Sequence, residues 1–175
     1  FVTALDEGRG TAAEVARHAR RANDLDRAVT ASVAAGDEAM AVGGVDEAAD
    51  HYQQALELLE GGDRADRLGI ELSRIAARAA SALTAAGHGV RAGQLLARHL
   101  ERLDRGDRPD RPAPGEPDPA RARLLTAYAE VLALTDTELD PVAIAAEAVA
   151  LSPEGESRVR AKALATHARI LGNEG

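Results

Sequence analysis

Histidines and carboxylates are the side chains of this chain that could carry metal or acid–base chemistry. The histidines are His18, His51, His88, His99 and His167. A zinc site of the metalloprotease type needs the spacing H-E-x-x-H, which does not occur in the sequence. His99 and His167 fall on apolar helical stripes, a placement typical of partly buried structural histidines. His88 lies between two glycines, so we expect it to be exposed in a turn.

Acidic pairs give no stronger signal of catalysis. Glu57 and Glu60 stand one helical turn apart, but a general acid and base must be held in a shaped pocket. The sequence contains no G-x-x-x-x-G-K-[ST] phosphate loop, no nucleophile-elbow motif and no cysteine. We therefore expect no enzymatic activity, no cofactor and no metal site in this segment.

Charge and hydropathy limit the partners. The net charge is −8, whereas nucleic-acid modules usually carry a concentrated positive surface, so we expect no direct nucleic-acid binding. No run of 18 apolar residues occurs, and the first residues do not resemble a signal peptide, so we expect no membrane partner and a cytoplasmic location. The start at Phe1 suggests a piece of a longer chain.

The composition and the apolar spacing predict an all-α fold. Aromatic residues make up only 2%, so alanine and leucine must fill most of the core, and period-two apolar runs are missing. Thr11 and Glu14 form a capping box that predicts a helix over 12–22. Asn23 and Asp24 then predict a break, a helix over 25–42 follows, and Gly43 ends it.

The next helices also show amphipathic spacing. Asp46 is expected to cap a helix over 45–60, and one continuous stripe from Leu68 to Leu83 predicts a single helix there. Gly36 lies inside the preceding helix, where it costs roughly 1 kcal/mol against alanine, so we expect the close approach of a neighbouring helix backbone. A turn at 87–89 predicts an antiparallel hairpin with the helix that follows.

The rest of the chain continues the pattern after an interruption. Residues 104–119 contain five of the seven prolines and eight charges, which predicts a flexible surface loop. Pro141 is expected to open a helix, and a last helix over 156–171 has an apolar stripe with no following partner. Ala48, Ala92 and Ala143 stand at matching places 44 and 51 residues apart, which indicates one helical-repeat array over 1–175.

Part of this array resembles a tetratricopeptide repeat, whose second helix reads A-x-x-x-Y-x-x-A-L. The matching residues are Ala48, Tyr52, Ala55 and Leu56, with Gly36 at the small position of the first helix and Gly43 at the turn. Ser32 and Ala39 depart from the pattern, because a large apolar and an aromatic residue are usual there. The resemblance implies antiparallel hairpins stacked as a right-handed superhelix, an α-solenoid.

Residues 13–60 also resemble the middle region of large LuxR-type transcriptional regulators, in which an ATPase module precedes a tetratricopeptide-like array and a helix-turn-helix follows it. The resemblance implies a non-catalytic regulatory segment that relays the binding of a ligand or partner to those domains. Two alternatives stay open: the similar segment of an ATPase-linked nucleotide cyclase, and a stand-alone adaptor that scaffolds proteins. A small-molecule sensor with a closed pocket is a third hypothesis.

In a stacked array the first helices of the pairs line a concave face, which is the natural binding surface. The candidates for that face are Asp37, Met40, Arg74, Ser81, Arg123, Glu130, Lys162 and Arg169. The expected partners are a protein or peptide, other domains of the same polypeptide, a small-molecule effector, or a second copy in a homodimer. The mixed charges do not select one of these classes.

Overall fold

The structure is a computed structural model that describes residues 10–60, 64–105, 112–113, 115–155 and 157–173. Every regular element in these ranges is helical, which confirms the all-α prediction. The helices are α1 (Ala12–Arg21), α2 (Leu25–Ala41), α3 (Val45–Leu59), α4 (Arg64–Leu68), α5 (Leu72–Ala85), α6 (Gly89–Asp104), α7 (Pro119–Leu132), α8 (Pro141–Leu151) and α9 (Arg158–Asn173). The chain divides into two compact units, Phe1–Ala86 and Gly87–Gly175.

Local capping fixes the first two helices of unit 1 as the sequence predicts. The Glu14 amide donates to Thr11 Oγ1 at 3.3 Å, and the Thr11 amide donates to Glu14 Oε2 at 3.0 Å, which completes the capping box. Asn23 takes a φ of 56° in the turn, and Asp24 accepts from the Arg27 amide at the start of α2.

The start of α3 differs from the prediction. Its N-cap is Gly44, which has no side chain to accept a hydrogen bond, whereas Asp46 lies inside the first turn. A carboxylate there is favourable because the helix N-terminus carries a partial positive charge. Asp46 therefore supports the helix start from within the first turn rather than by capping it.

Short turns and small side chains bring the helices of unit 1 together. α2 packs against both α1 and α3, and α3 also packs against α5. Three-residue turns reverse the chain on either side of α2, so its neighbours in sequence run antiparallel to it. Ala28, Ala48 and Ala55 have no exposed surface, which shows that alanine forms much of this interface.

Gly36 is required by an aromatic ring and not by a helix backbone, which corrects the prediction. A Cβ at Gly36 would lie 2.6 Å from Cε1 of Tyr52, and the next nearest atoms also belong to that ring. The tyrosine is itself only 2% exposed. Its ring therefore occupies the space that a side chain on α2 would fill.

The single helix predicted from Leu68 onward is broken into two. Gly69 takes a φ of 61° after α4 ends at Leu68, and α5 begins only at Leu72. The apolar side chains around the break are partly buried, because they pack against a core cluster of Val29, Leu59 and Ala65. The apolar spacing thus reflects real burial, but part of it belongs to a turn and not to a helix.

Unit 2 has its own helical core. α7 packs against α6, α8 and α9, and α8 also packs against α9. Asp118 and Asp140 cap α7 and α8, and each helix has proline in its first turn, as expected for Pro141. Ala129, Ala145 and Ile170 form a buried cluster at the centre. The last helix therefore packs on the two preceding helices, α7 and α8.

Two predictions in unit 2 need correction or stay open. Ala143 is exposed, and the buried alanines of α8 are Ala145 and Ala148. The inward face of α8 is therefore not the one predicted from the match of Ala143 to Ala48 and Ala92. Within 104–119, α6 ends at Asp104 and α7 begins at Pro119. Residues 106–111 and 114 lie outside the described part, so the flexibility of this loop stays a prediction.

The larger architecture remains a prediction because it concerns both units together. The hairpin expected from α5 and α6 spans the two units, and each unit is described by itself. The single array over 1–175 and its right-handed superhelix likewise concern both units together. What the structure establishes is an all-α fold over the described residues, with α1, α2, α3 and α5 packed in sequence in unit 1 and α6 to α9 packed in unit 2.

Candidate functional site

The eight residues predicted for one binding face divide equally between the units. Unit 1 holds Asp37, Met40, Arg74 and Ser81, and unit 2 holds Arg123, Glu130, Lys162 and Arg169. The common face predicted for all eight therefore stays a prediction, and the two groups are described separately.

Asp37 lies at the centre of a polar cluster in unit 1. Its Oδ1 accepts a hydrogen bond of 2.6 Å from the Tyr52 hydroxyl. Nη1 of Arg78 donates to both carboxylate oxygens, at 2.8 and 2.9 Å. The cluster joins α2, α3 and α5, so Asp37 acts first as a structural acceptor.

Burial of the Tyr52 ring raises the pKa of its hydroxyl above the ordinary tyrosine value. The hydrogen bond to Asp37 and the charge of that carboxylate raise the pKa further, while Arg78 opposes the shift. The hydroxyl is thus held neutral and donating at physiological pH. This arrangement suits a fixed donor and not a proton-transfer group.

Arg78 is the residue of this cluster that the sequence prediction missed. It lies four residues after Arg74 and three before Ser81, so the three share one face of α5. Arg74, Ser81 and Met40 are all exposed. The i, i+4 spacing from Arg74 was the available signal for Arg78.

Glu130 and Lys162, both predicted, are brought together in unit 2. Glu130 Oε2 lies 3.4 Å from Nζ of Lys162, and Glu130 Oε1 accepts a hydrogen bond of 2.9 Å from Thr166 Oγ1. Arg123 is partly buried and makes its own polar interaction, while Arg169 is exposed. Glu130 therefore ties α7 to α9.

The two clusters follow one plan. In each, a carboxylate on an earlier helix accepts from a hydroxyl and pairs with a cation, and the cation lies on α5 in unit 1 and on α9 in unit 2. Exposed ion pairs of this kind contribute only about 0–1 kcal/mol. They link helices that also pack on one another through buried apolar residues.

Unit 1 also contains an open groove that sequence reasoning did not find. It measures about 660 Å³ and lies along α1 and α2, with Leu68 of α4 at its edge. Val15 and Ala31 supply apolar lining, and Glu38 supplies a carboxylate. None of the eight predicted residues lines the groove.

The groove is set up by the fold of its neighbours. Asp26, another lining residue, accepts from Nε of Arg64 at 3.1 Å and from Nη2 of Arg67 at 2.8 Å. Both arginines lie on α4, the short helix created by the break at Gly69. The short helix that results from the break thus carries the two arginines that pair with Asp26 in the groove lining.

The histidines are placed as expected where their surroundings are described. His99 is buried on α6, His167 is partly buried on α9, and His88 is exposed before α6. In the part of the chain that the structure describes, no group of three or more His, Asp or Glu side chains could hold a metal ion.

Comparison with known proteins adds no relative. No family of known proteins, no curated protein and no solved structure matches this chain. Among the described helices, none combines the length and the apolar character needed to cross a membrane.

Proposed function

We propose that this chain is a non-catalytic interaction module that relays binding events within a multidomain LuxR-type transcriptional regulator. The observation that carries the proposal is the packing of Tyr52 on Gly36 between α2 and α3. These residues occupy the aromatic and small positions of the tetratricopeptide pattern. The close fit supports the view that α2 and α3 form one repeat of that type.

A looser contact between a tyrosine and a glycine, at ordinary van der Waals distance, occurs in unit 2. In unit 2, Cε2 of Tyr128 on α7 lies 3.8 Å from the position of a Cβ on Gly93 of α6. Both tyrosines of the chain thus face a glycine on the preceding helix. Repeat arrays bind partners through surfaces that successive hairpins build, and this is the reason for proposing a binding role.

The proposed mechanism is a shift between arrangements of the repeats. A protein, peptide or small effector that binds one arrangement better than another favours it by the difference in binding free energy. Flanking ATPase and DNA-binding domains that contact the repeats would then respond, because linkage makes the coupling reciprocal. The groove on α1 and α2 is the proposed site for a peptide or small effector in the cytoplasm.

The parent open reading frame provides the first test. A phosphate loop encoded before residue 1 together with a helix-turn-helix encoded after residue 175 is the expected result. A nucleotide cyclase domain in the same frame would favour the cyclase-linked alternative. A frame that encodes neither ATPase nor DNA-binding domains would contradict the proposal and favour a stand-alone adaptor.

A groove-filling substitution tests the mechanism in the full-length protein. Ala34 is exposed and lines the groove, so Ala34→Trp should block an effector while leaving the core of unit 1 intact. Ala41→Trp, at an exposed position of the same helix outside the groove lining, is the matched control. We expect only Ala34→Trp to uncouple effector addition from ATPase rate and DNA binding. Equal behaviour of the two variants would contradict a role for the groove.

A further inference from the structure

We propose that α9 docks an acidic amphipathic helix of a partner protein on its outer face. This outer face consists of Ala161, Leu164, Ala165, Ala168 and Leu171, all of which are exposed. The proposal rests on the proposed interaction function and names the surface and the chemistry of the partner.

The outer face is a separate apolar surface and not an edge of the core. Its members recur at steps of three, one, three and three, so they share one side of the helix. Ala163, Thr166 and Ile170 form the opposite, buried side. Polar residues divide the two sides, with Lys162 on one flank and Arg160 on the other. A helix that is apolar on two sides is typical of an element packed between two layers.

Two leucines give this face its binding potential. Leu164 and Leu171 are 46% and 48% exposed, and they stand seven residues apart, about two helical turns. The alanines between them let another helix approach closely. A partner that covers these half-exposed leucines removes their remaining apolar surface from water, which favours binding.

Charge identifies the partner as acidic. The 16 residues of α9 include four cations and no carboxylate. Arg158, Lys162 and Arg169 recur at steps of four and seven, so they form one positive flank, which borders the outer face on the side of Ala161 and Ala165. Among the described residues, no carboxylate forms an ion pair with Arg158 or Arg169, and Lys162 is 59% exposed beside Glu130. Carboxylates on the matching flank of a partner helix would pair with these cations.

The same features disfavour other occupants. A second copy of α9 would place its own cations against this flank, because α9 has no carboxylate to offer. A nucleic-acid backbone would pair with the arginines but leave Leu164 and Leu171 in water. A helix with leucines in the centre and glutamates along one edge satisfies both parts of the surface.

The test uses a labelled synthetic peptide of four to five helical turns, with leucines at i, i+3 and i+7 and three glutamates on one flank. Binding to the full chain is followed by fluorescence anisotropy. We expect saturable binding that weakens at least tenfold when the glutamates become lysines. Leu164→Ser combined with Leu171→Ser should weaken it by a similar factor. Leu134→Ser, at an exposed leucine outside α9, is the control and should leave binding unchanged.

A charge exchange distinguishes specific docking from general stickiness. The variant with Arg158→Glu and Arg169→Glu should lose the glutamate peptide at least tenfold and gain affinity for the lysine peptide. Thermal melts by circular dichroism check that each variant remains folded, and a variant that unfolds is replaced by Leu171→Ser or Arg169→Glu alone.

Three outcomes would overturn the proposal. They are no saturable binding, equal binding of the two peptides, or a dimer that Leu164→Ser and Leu171→Ser dissociate without any effect on the peptide. A negative result here combined with an uncoupling effect of Ala34→Trp would leave the relay function standing. Peptide binding without that effect, in a gene that encodes no ATPase, would instead support docking on a free adaptor.

Discussion

Ser32 stands on α2 where the tetratricopeptide pattern has a large apolar residue, and it has no exposed surface. Its hydroxyl has no hydrogen-bond partner among the described residues. An unsatisfied buried donor costs about 1–3 kcal/mol, so this single side chain lowers the stability of unit 1. The sequence showed the departure from the pattern but could not show that the hydroxyl lacks a partner.

Replacing that hydroxyl should therefore stabilise the chain. We expect Ser32→Ala to raise the free energy of unfolding by about 1 kcal/mol, measured by urea denaturation with circular dichroism. Ser81→Ala, at an exposed position of α5, should change it by less than about 0.5 kcal/mol. A loss of stability in Ser32→Ala would show that the hydroxyl is satisfied, for example by an ordered water.

Tyr52 should make the stability of unit 1 depend on alkaline pH. Because burial and Asp37 raise the pKa of its hydroxyl, the unfolded chain releases this proton at a lower pH than the folded chain. The contribution of the neutral hydroxyl is complete below about pH 10 and is lost as the pH rises above that value.

Tyr52→Phe removes that titration. Urea denaturation between pH 8 and 12 should show a shallower alkaline decline for Tyr52→Phe than for the unchanged chain. At neutral pH the variant should also be less stable by about 1–2 kcal/mol, because the hydrogen bond to Asp37 is lost. Tyr128→Phe is the control, and an equal flattening in that variant would contradict the assignment to Tyr52.

At the scale of the helices, small residues set the spacing. Ala48 and Ala55 on α3 have no exposed surface, and Tyr52, which stands between them in the sequence, is also buried. Interfaces built from alanine bring helix axes close together and leave little room for larger side chains. Substitutions that add volume to the buried face of α3 should therefore lower the stability more than substitutions that keep the side-chain volume.

Ala55→Leu adds three heavy atoms to this interface. Overpacking typically costs about 1–3 kcal/mol, so we expect a lower melting temperature by circular dichroism or calorimetry. Ala146→Leu, at an exposed position inside α8, adds the same atoms without confinement and should melt within a few degrees of the unchanged chain. An unchanged melting temperature for Ala55→Leu would mean that Ala55 does not lie in a tight contact.

Helix starts with a capping side chain could be predicted, whereas a helix end inside a continuous apolar stripe could not. Thr11 with Glu14 and Asn23 with Asp24 specify their caps through adjacent backbone amides. The break at Gly69 was missed because the leucines on both sides continue the helical spacing. The break itself is a glycine C-cap, because Gly69 takes a φ of 61° and the Ile70 amide donates to the Ala65 carbonyl at 2.9 Å.

The candidate site shows the same division. Periodicity named Glu130 and Lys162 among eight candidates without predicting that the two make contact, and it did not reveal Arg78 as the cation beside Asp37. The groove on α1 and α2 was missed because it depends on the position of α4. A surface that three elements build requires their relative positions, which a single sequence without homologues does not supply.

For the whole molecule, charge is distributed unevenly. The chain carries a net charge of −8, yet the residues of α9 contribute four cations and no anion. Coulomb interactions with a polyanion depend on both the local patch and the surrounding field. Because the acidic remainder opposes phosphate, four cations on one helix do not amount to the extended positive surface of a DNA-binding module.

We therefore expect no binding of a labelled 20-base-pair duplex at physiological salt and protein concentrations up to about 10 μM. That concentration lies within the range of dissociation constants typical of non-specific DNA binding, about 10⁻⁴–10⁻⁶ M. Fluorescence anisotropy provides the measurement. The variant with Arg158→Glu and Arg169→Glu serves as the comparison. Saturable binding that this variant abolishes would show that α9 recognises phosphate, contrary to both proposals.

The placement of one tyrosine in each unit has a practical consequence for spectroscopy. The chain contains no tryptophan and two tyrosines, Tyr52 in unit 1 and Tyr128 in unit 2. Each unit therefore carries one intrinsic fluorophore, and a single Tyr→Phe exchange leaves emission from the other alone. Denaturation curves of the two single-tyrosine chains would reveal whether the halves melt in one cooperative step or in two.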